Sequence, residues 1–121
     1  MAKILVVDDE KDVVELVKFM LEREGHQVVE AYDGEEGLAR ARQEIPDLIV
    51  LDIMMPKMDG YTMHSHLLQS EATSGIPVII LTAKGQMKDL FVMAGNVVVY
   101  IEKPFDPKVL REKVKQILEK Q

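Results

Sequence analysis

The residues of this sequence whose types suit chemistry stand directly after short apolar runs. They are Asp8, Asp9, Asp52, Thr82 and Lys103. Three carboxylates brought together repel one another unless a cation lies between them. Oxygen ligands without His or Cys favour Mg²⁺ or Mn²⁺ over zinc, with water and a substrate phosphate completing the shell. A lysine ammonium and a threonine hydroxyl at the same place suit a phosphoryl group.

The elements that must position these residues follow from the hydrophobic pattern. Apolar runs rich in β-branched residues alternate with segments of helical period, which predicts a βα unit repeated five times. The predicted strands are Ile4 to Val7, Gln27 to Ala31, Leu48 to Leu51, Val78 to Leu81 and Val97 to Ile101. Short right-handed crossovers favour an α/β fold with an open, doubly wound, five-stranded parallel sheet. Ligand sites of such sheets lie beyond the carboxyl ends of the strands, so we expect the five residues to meet there.

The predicted helices carry apolar stripes and capping residues. The first stripe is Val13, Leu16, Val17 and Met20, and the last is Leu110, Val114, Ile117 and Leu118. Asp33 and Asp106 precede helical segments and are predicted to cap them. Ile45-Pro46-Asp47 is predicted to end the second helix.

Composition excludes several classes of protein. The 121 residues, 47% hydrophobic and 30% charged, predict one domain over residues 1–121. A net charge of −6 argues against direct binding of nucleic acid, which needs clustered Lys and Arg. The sequence has no cysteine, and its apolar runs are too short to span a membrane. We expect a cytoplasmic protein without a membrane contact.

Four segments resemble the response-regulator receiver domains of two-component phosphorelay signalling, the CheY-like superfamily. They are Val6-Val7-Asp8-Asp9-Glu10, Leu51 to Gly60, Leu81-Thr82-Ala83 and Lys103-Pro104-Phe105. The resemblance runs from end to end and implies a flavodoxin-like (βα)₅ fold. It also implies that Asp52 is the phosphoacceptor, which takes a phosphoryl group from the phosphohistidine of a sensor histidine kinase or a phosphotransfer protein.

The same resemblance implies a metal site and a cofactor. Asp9, Asp52 and the backbone carbonyl of Met54 would bind Mg²⁺ directly, and Asp8 would act through water. Mn²⁺ is the other candidate ion. Such a protein would catalyse its own phosphorylation and dephosphorylation, and would not be an enzyme that turns over an outside substrate.

The resemblance further implies a switch. Lys103 and Thr82 would hold the phosphoryl oxygens, and Thr82 with Tyr100 would change position upon phosphorylation. The Lys103-Pro104 bond is expected to be cis. The change would be read at the surface of the fourth helix, fifth strand and fifth helix, as a population shift between two arrangements.

The output side stays open. The segment between Thr82 and Tyr100 departs from the family pattern, and the fourth helix, expected somewhere in Gln86 to Ala94, is predicted to be short, shifted or mobile. The partner would be an unknown output protein or a fused output domain, and the chain a monomer or a phosphorylation-dependent homodimer. We expect a free-standing regulator, with an excised receiver as the alternative.

Other functions fit the residues less well. The main alternative is a protein-interaction module of the same fold that works without phosphorylation. Aspartate-nucleophile phosphatases carry a second Asp two residues after the first, where this sequence has Met54. A nucleotide-binding loop after the first strand would not suit adjoining acids. His64 and His66 lie two apart, unlike a zinc-binding pair, and are expected to be solvated on the third helix.

Overall fold

The computed structural model describes residues 2–83 and 96–119. Five strands form one parallel sheet in the order β2-β1-β3-β4-β5. The strands are β1 (Lys3–Val7), β2 (Gln27–Ala31), β3 (Leu48–Asp52), β4 (Val78–Thr82) and β5 (Val97–Glu102). The helices are α1 (Lys11–Arg23), α2 (Gly34–Glu44), α3 (Gly60–Leu68), α4 (Glu71–Ser74) and α5 (Pro107–Glu119).

This architecture confirms the predicted fold class. All five predicted strands are present, and each begins or ends within one residue of its predicted bound. The strand order is the flavodoxin-like variant of the doubly wound sheet. The helix predicted in Gln86 to Ala94 lies outside the described residues.

The sheet separates two apolar cores because successive side chains of a strand point to opposite faces. In β1, Leu5 and Val7 pack into one core, and Ile4 and Val6 pack into the other. Both faces of β1, β3 and β4 are therefore covered, which explains why their sequences are nearly continuous runs of Val, Ile and Leu.

The apolar stripe predicted for α1 is wrong at one position. Leu16 is 44% exposed, whereas Val14, Val17 and Leu21 are fully buried. This segment is apolar around more than half of its circumference, so two stripes fit a helical period. The sheet buries the stripe formed by Val14, Val17 and Leu21, which lies beside the predicted stripe on the helix surface. The stripe of α5 is confirmed, with its first two residues buried and its last two at the margin of the core.

The predicted helix boundaries are confirmed. Asp33 accepts a hydrogen bond from the Glu36 N–H at 2.8 Å, and Asp106 accepts one from the Lys108 N–H at 2.9 Å. Ile45 ends α2 in a left-handed conformation, with φ of 43°. These contacts satisfy backbone groups that helix ends leave without partners.

The prediction of a solvated His64 is wrong. Its side chain is only 4% exposed, and Nε2 lies 2.7 Å from Oδ1 of Asn96. The buried face of α3 is formed by Gly60, Met63, His64 and Leu67, which are spaced as one side of a helix. His66 lies off that face and is partly exposed.

Residues 2–83 and 96–119 include no helix that is long and apolar enough to cross a membrane.

Candidate functional site

The carboxyl ends of four strands meet at one edge of the sheet. Val7, the last residue of β1, pairs with Leu51 of β3, so Asp8 and Asp52 are the next residue on each strand. Thr82 ends β4 and pairs with Glu102, directly before Lys103. The parallel register therefore brings together the residues that the sequence predicted to meet.

Three aspartates form an acidic cluster at this edge. Carboxylate oxygens of Asp8, Asp9 and Asp52 all lie within 4.8 Å of one another. Asp8 is fully buried and Asp52 is 4% exposed, whereas Asp9 is open to solvent. Two of the three like charges are thus held close together and away from water.

Among residues 2–83 and 96–119, Lys103 brings a positive charge to this cluster. Its Nζ lies 2.8 Å from Oδ2 of Asp8 and 3.6 Å from Oδ1 of Asp52. It also lies 2.8 Å from Oε1 of Glu10, a contact that the sequence did not predict. The Lys103-Pro104 peptide bond is cis, as expected.

Burial and crowding change the ionisation of the site. Burial and, next, the charge of Asp8 raise the pKa of Asp52 to about 7, against the opposing effect of Lys103. The pKa of Asp8 is also raised, mainly by burial. Burial alone would lower the pKa of Lys103, but its close contacts with the carboxylates of Asp8 and Glu10 outweigh burial and raise it. Lys103 therefore stays protonated. The charges of Asp8 and Asp52 repel each other, and this repulsion is an electrostatic strain on the folded chain.

The acidic cluster fits a hard divalent cation. Oδ2 of Asp8 is buried and, within the described part of the chain, has no well-formed hydrogen bond, although Lys103 Nζ is within ion-pair distance. The donor set consists of carboxylate oxygens, with the Met54 backbone close by in sequence. Such ligands suit Mg²⁺ or Mn²⁺ and do not suit a thiolate- or imidazole-binding metal.

The loop after Asp52 is packed tightly on both sides. The Gly60 N–H donates to the carbonyl of Ile53 at 2.8 Å, and a Cβ at Gly60 would lie 2.5 Å from the carbonyl oxygen of Asp52. A Cβ at Gly34 would overlap the carbonyl of Met58. Glycine at these two places lets α2 and α3 approach the backbone that carries Asp52 and Met54.

The predicted switch residues lie on β4 and β5. Thr82 is fully buried, and its hydroxyl donates to the carbonyl of Ala83 at 2.9 Å. Tyr100 is partly buried and packs against the core on the α2 and α3 side of the sheet. Met54 is 58% exposed, so its side chain lies at the surface beside Asp52.

Comparison with known proteins decides the family. The model of the response regulator receiver domain matches residues 4–115. The chain belongs to the response-regulator receiver family. This receiver domain is 45% identical to the alkaline phosphatase synthesis transcriptional regulatory protein PhoP of Bacillus subtilis over 96% of the chain. It covers 48% of that relative, so the chain spans about half the length of the transcriptional regulators that it matches.

Two further relatives have the size of this receiver domain. Protein PilH of Pseudomonas aeruginosa is 40% identical over 98% of both chains. The receiver domain of Francisella response regulator 1452 superposes with a TM-score of 0.89 at 30% identity, covering 99% of this chain and 98% of that one.

Sequence reasoning missed three contacts around the site. The acid at Glu10 was visible in the motif, but its reach to Lys103 depends on the side-chain conformation. The ion pair of Lys57 with Asp33, at 3.7 Å, links the loop after Asp52 to the start of α2. The pairing of His64 with Asn96 joins residues far apart in the chain, and no local pattern in the sequence predicts it.

Proposed function

We propose that this receiver domain is a phosphorylation switch in two-component signalling, with Asp52 as the phosphoacceptor. The observation that supports the proposal is the acidic cluster with Lys103 beside it. Receiver domains are signalling modules and not turnover enzymes, so the chemistry proposed here acts on the domain itself.

In the proposed reaction, a carboxylate oxygen of Asp52 attacks the phosphorus of a phosphohistidine. An O–P bond forms, the P–N bond breaks, and its electron pair leaves with the imidazole of the donor. An ionised carboxylate needs no general base. Asp52 must therefore be ionised when the donor arrives, which its raised pKa opposes in the metal-free chain.

A divalent cation would favour the ionised Asp52 that the reaction needs and that its raised pKa opposes. Asp8, Asp9, Asp52 and the Met54 carbonyl would hold Mg²⁺, with Mn²⁺ as the other candidate. Bound there, the ion supplies positive charge that favours the ionised form of Asp52 and offsets the charge of the phosphoryl oxygens.

Two further residues would serve the phosphoryl group. Lys103 Nζ lies 3.6 Å from Asp52, so a short movement would bring it to a phosphoryl oxygen. Thr82 would exchange its hydrogen bond with Ala83 for one to the phosphoryl group. Tyr100, on the strand paired with β4, would respond to that movement and report it at the surface of β5 and α5.

The proposed setting is the cytoplasm, with residues 1–121 acting as a single domain. A sensor histidine kinase or a phosphotransfer protein would supply the phosphoryl group, and an output protein or fused output domain would read it. Neither nucleic acid nor membrane is a proposed direct partner. The state of assembly would be a monomer or a phosphorylation-dependent homodimer.

An interaction module that works without phosphorylation is the second candidate. It gives no reason to keep Asp8 and Asp52 buried together, because two such charges cost stability. The crowding of the acidic cluster therefore favours the phosphorylation switch.

Intact-mass measurement after incubation with acetyl phosphate tests the proposal. We expect one phosphoryl adduct that requires both Mg²⁺ and Asp52, and that is lost in Asp52→Asn. Asp12→Asn is the matched control, since Asp12 is an exposed aspartate in the first turn of α1. A folded wild-type chain that binds Mg²⁺ and gains no adduct would overturn the proposal in favour of the interaction module.

A further inference from the structure

Just before β5 begins, Asn96 is joined to α3, to β4 and to Ile76 in the connection before β4. Its side-chain nitrogen donates to the carbonyl of Ile76, and its side-chain oxygen lies 2.7 Å from Nε2 of His64 in α3. Its backbone carbonyl accepts a hydrogen bond from the Val78 N–H at 2.9 Å. The start of β5 is thus fixed both to α3 and to the start of β4.

These contacts determine which atoms carry hydrogen. The amide nitrogen of Asn96 must face the Ile76 carbonyl, because two oxygens cannot form a hydrogen bond without a hydrogen between them. The amide oxygen of Asn96 therefore faces His64, whose Nε2 must carry a hydrogen and donate it. His64 is buried, so an apolar residue in its place would remove the donor from this partly buried oxygen.

The anchored end of β5 is followed at once by a bulge. Val97 pairs with Val78 but Val99 pairs with Ile79, so Val98 is an extra residue in the register. An extra residue bends a strand and resets which face the later side chains occupy. Loss of the bulge by a one-residue slip would turn each later side chain to the other face of the sheet.

The regular part of β5 after the bulge leads to the functional residues. Tyr100 pairs with Ile80, and the Lys103 N–H donates to the Thr82 carbonyl at 2.7 Å. The placement of Tyr100 and Lys103 therefore requires that the bulge be held at its observed position.

We infer that His64 and Asn96 are a positioning pair for Lys103 and Tyr100. Neither touches the acidic cluster. By holding the start of β5, the pair keeps the bulge in place and so directs Lys103 to Asp8 and Asp52. The inference rests on the proposed function only where Lys103 is taken to assist phosphoryl transfer.

The position of the pair predicts a selective effect. The three aspartates follow or end β1 and β3, which are in the middle of the sheet, whereas Lys103 follows the edge strand β5. Disturbing β5 should slow phosphorylation without weakening Mg²⁺ binding, because it withdraws Lys103 and leaves the three aspartates in place. A residue needed only for general stability would not separate these two quantities.

Three variants of the full chain separate the hydrogen bond from the volume of the side chain. His64→Leu fills the site without a donor, and His64→Gln keeps an N–H near the position of Nε2. His66→Leu is the matched control on the same helix. For each, the Mg²⁺ dissociation constant is measured by calorimetry, the rate of reaction with acetyl phosphate by intact mass, and exchange of the Lys103 amide hydrogen by NMR.

We expect His64→Leu to slow phosphorylation and to speed Lys103 amide exchange, each roughly ten-fold, as loss of one buried hydrogen bond can do. Its Mg²⁺ dissociation constant should be no higher than that of His66→Leu, and His64→Gln should restore both rates. Asn96→Ala, at a partly exposed position, should reproduce the effect if His64→Leu does not fold, and the double variant should be no slower than the slower single one.

The inference is overturned if His64→Leu and His66→Leu react at the same rate. It is also overturned if rate and Mg²⁺ affinity fall together, which would indicate a general loosening of the fold. If the wild-type chain takes no phosphoryl group, the proposed function fails by itself. Exchange of the Lys103 amide in the same variants would then decide the positioning inference separately.

Discussion

The fold shifts the pKa values of two carboxyl groups, Glu30 and Asp52, in opposite directions. In the Glu30 network, Oε1 of Glu30 accepts from Lys18 Nζ at 2.8 Å and Oε2 accepts from the Tyr32 hydroxyl at 2.7 Å. The hydrogen bond from Lys18 lowers the pKa of Glu30. In the acidic cluster, burial beside Asp8 raises the pKa of Asp52 to about 7.

The two pKa shifts differ in sign because the two sites differ in the number of hydrogen-bond donors and cations available to each carboxylate. Each oxygen of Glu30 has its own donor, so the network is complete within the chain. At the acidic cluster, Lys103 is shared among Asp8, Glu10 and Asp52. Charge that folding leaves uncompensated in a pocket is typical of a site that a ligand completes.

Removing the shared lysine should have the largest effect on stability. In the metal-free chain at pH 7, we expect Lys103→Met to lower the free energy of unfolding by about 3 kcal/mol, because it leaves the buried carboxylates of Asp8 and Asp52 without the cation that they share. Urea unfolding in the presence of a chelator measures this. Lys18→Met is the matched variant in the Glu30 network and should cost clearly less, since that pair is partly exposed to solvent. Equal losses would mean that the two regions do not differ.

Removing the charge of Asp52 should have the next largest effect on the free energy of unfolding, and this effect should be stabilising. We expect Asp52→Asn to raise the metal-free free energy of unfolding at pH 7 by an amount on the order of 2 kcal/mol. A variant that was less stable than wild type at pH 7 would contradict the strain assigned to the acidic cluster.

The gain from Asp52→Asn should depend on pH. A raised pKa in the folded state gives stability that is complete below the ordinary value of 3.8 and is lost as pH rises through about 7. The Asn side chain does not titrate, so its advantage should grow between pH 4 and pH 7. Thermal unfolding in chelator across that range follows it.

Mg²⁺ should relieve the strain in the wild-type chain. At a free concentration of ten times its dissociation constant, we expect it to raise the free energy of unfolding by about 1.4 kcal/mol. The gain should be the same in Glu30→Gln, whose change lies outside the acidic cluster, and smaller in Asp52→Asn. Chemical denaturation with and without Mg²⁺ compares the three proteins. A gain that did not fall in Asp52→Asn would place the ion elsewhere.

Removing the charge of Glu30 should have the smallest effect on the free energy of unfolding. We expect Glu30→Gln to cost less than about 1 kcal/mol at pH 7, since Glu30 is partly solvated. Because the folded pKa is lowered, this contribution is present above the ordinary value of 4.5 and is lost as pH falls through the folded pKa. Wild type and variant should therefore converge in acid, as urea unfolding at pH 3 and pH 7 would show.

The sequence predicted the sheet well because its strands are buried on both faces. Continuous Val, Ile and Leu runs at Leu48–Asp52 and Val78–Thr82 have few other interpretations in a chain this short. The meeting of the residues at the carboxyl edge followed from parallel topology alone. Family membership was recognisable from the motifs around Asp52 and Lys103.

What the sequence did not predict depends on side-chain packing between distant elements. The buried face of α1 was wrong at Leu16, because a broadly apolar helix is oriented by the sheet and not by its own pattern. Burial of His64 required Asn96 as a partner, and a long-range polar pair leaves no periodic signal. The contact between Glu10 and Lys103 depends on one rotamer among several.

The central position of β1 has a consequence for how the chain folds. β1 must pair with β3, from which α1, β2 and α2 separate it in the sequence, so this contact closes a long loop. The pairing brings Asp8 against Asp52, and their repulsion must be overcome at that moment. In a neutral solution without divalent cations, the acidic cluster should therefore slow refolding, and Asp52→Asn should refold faster than the natural chain.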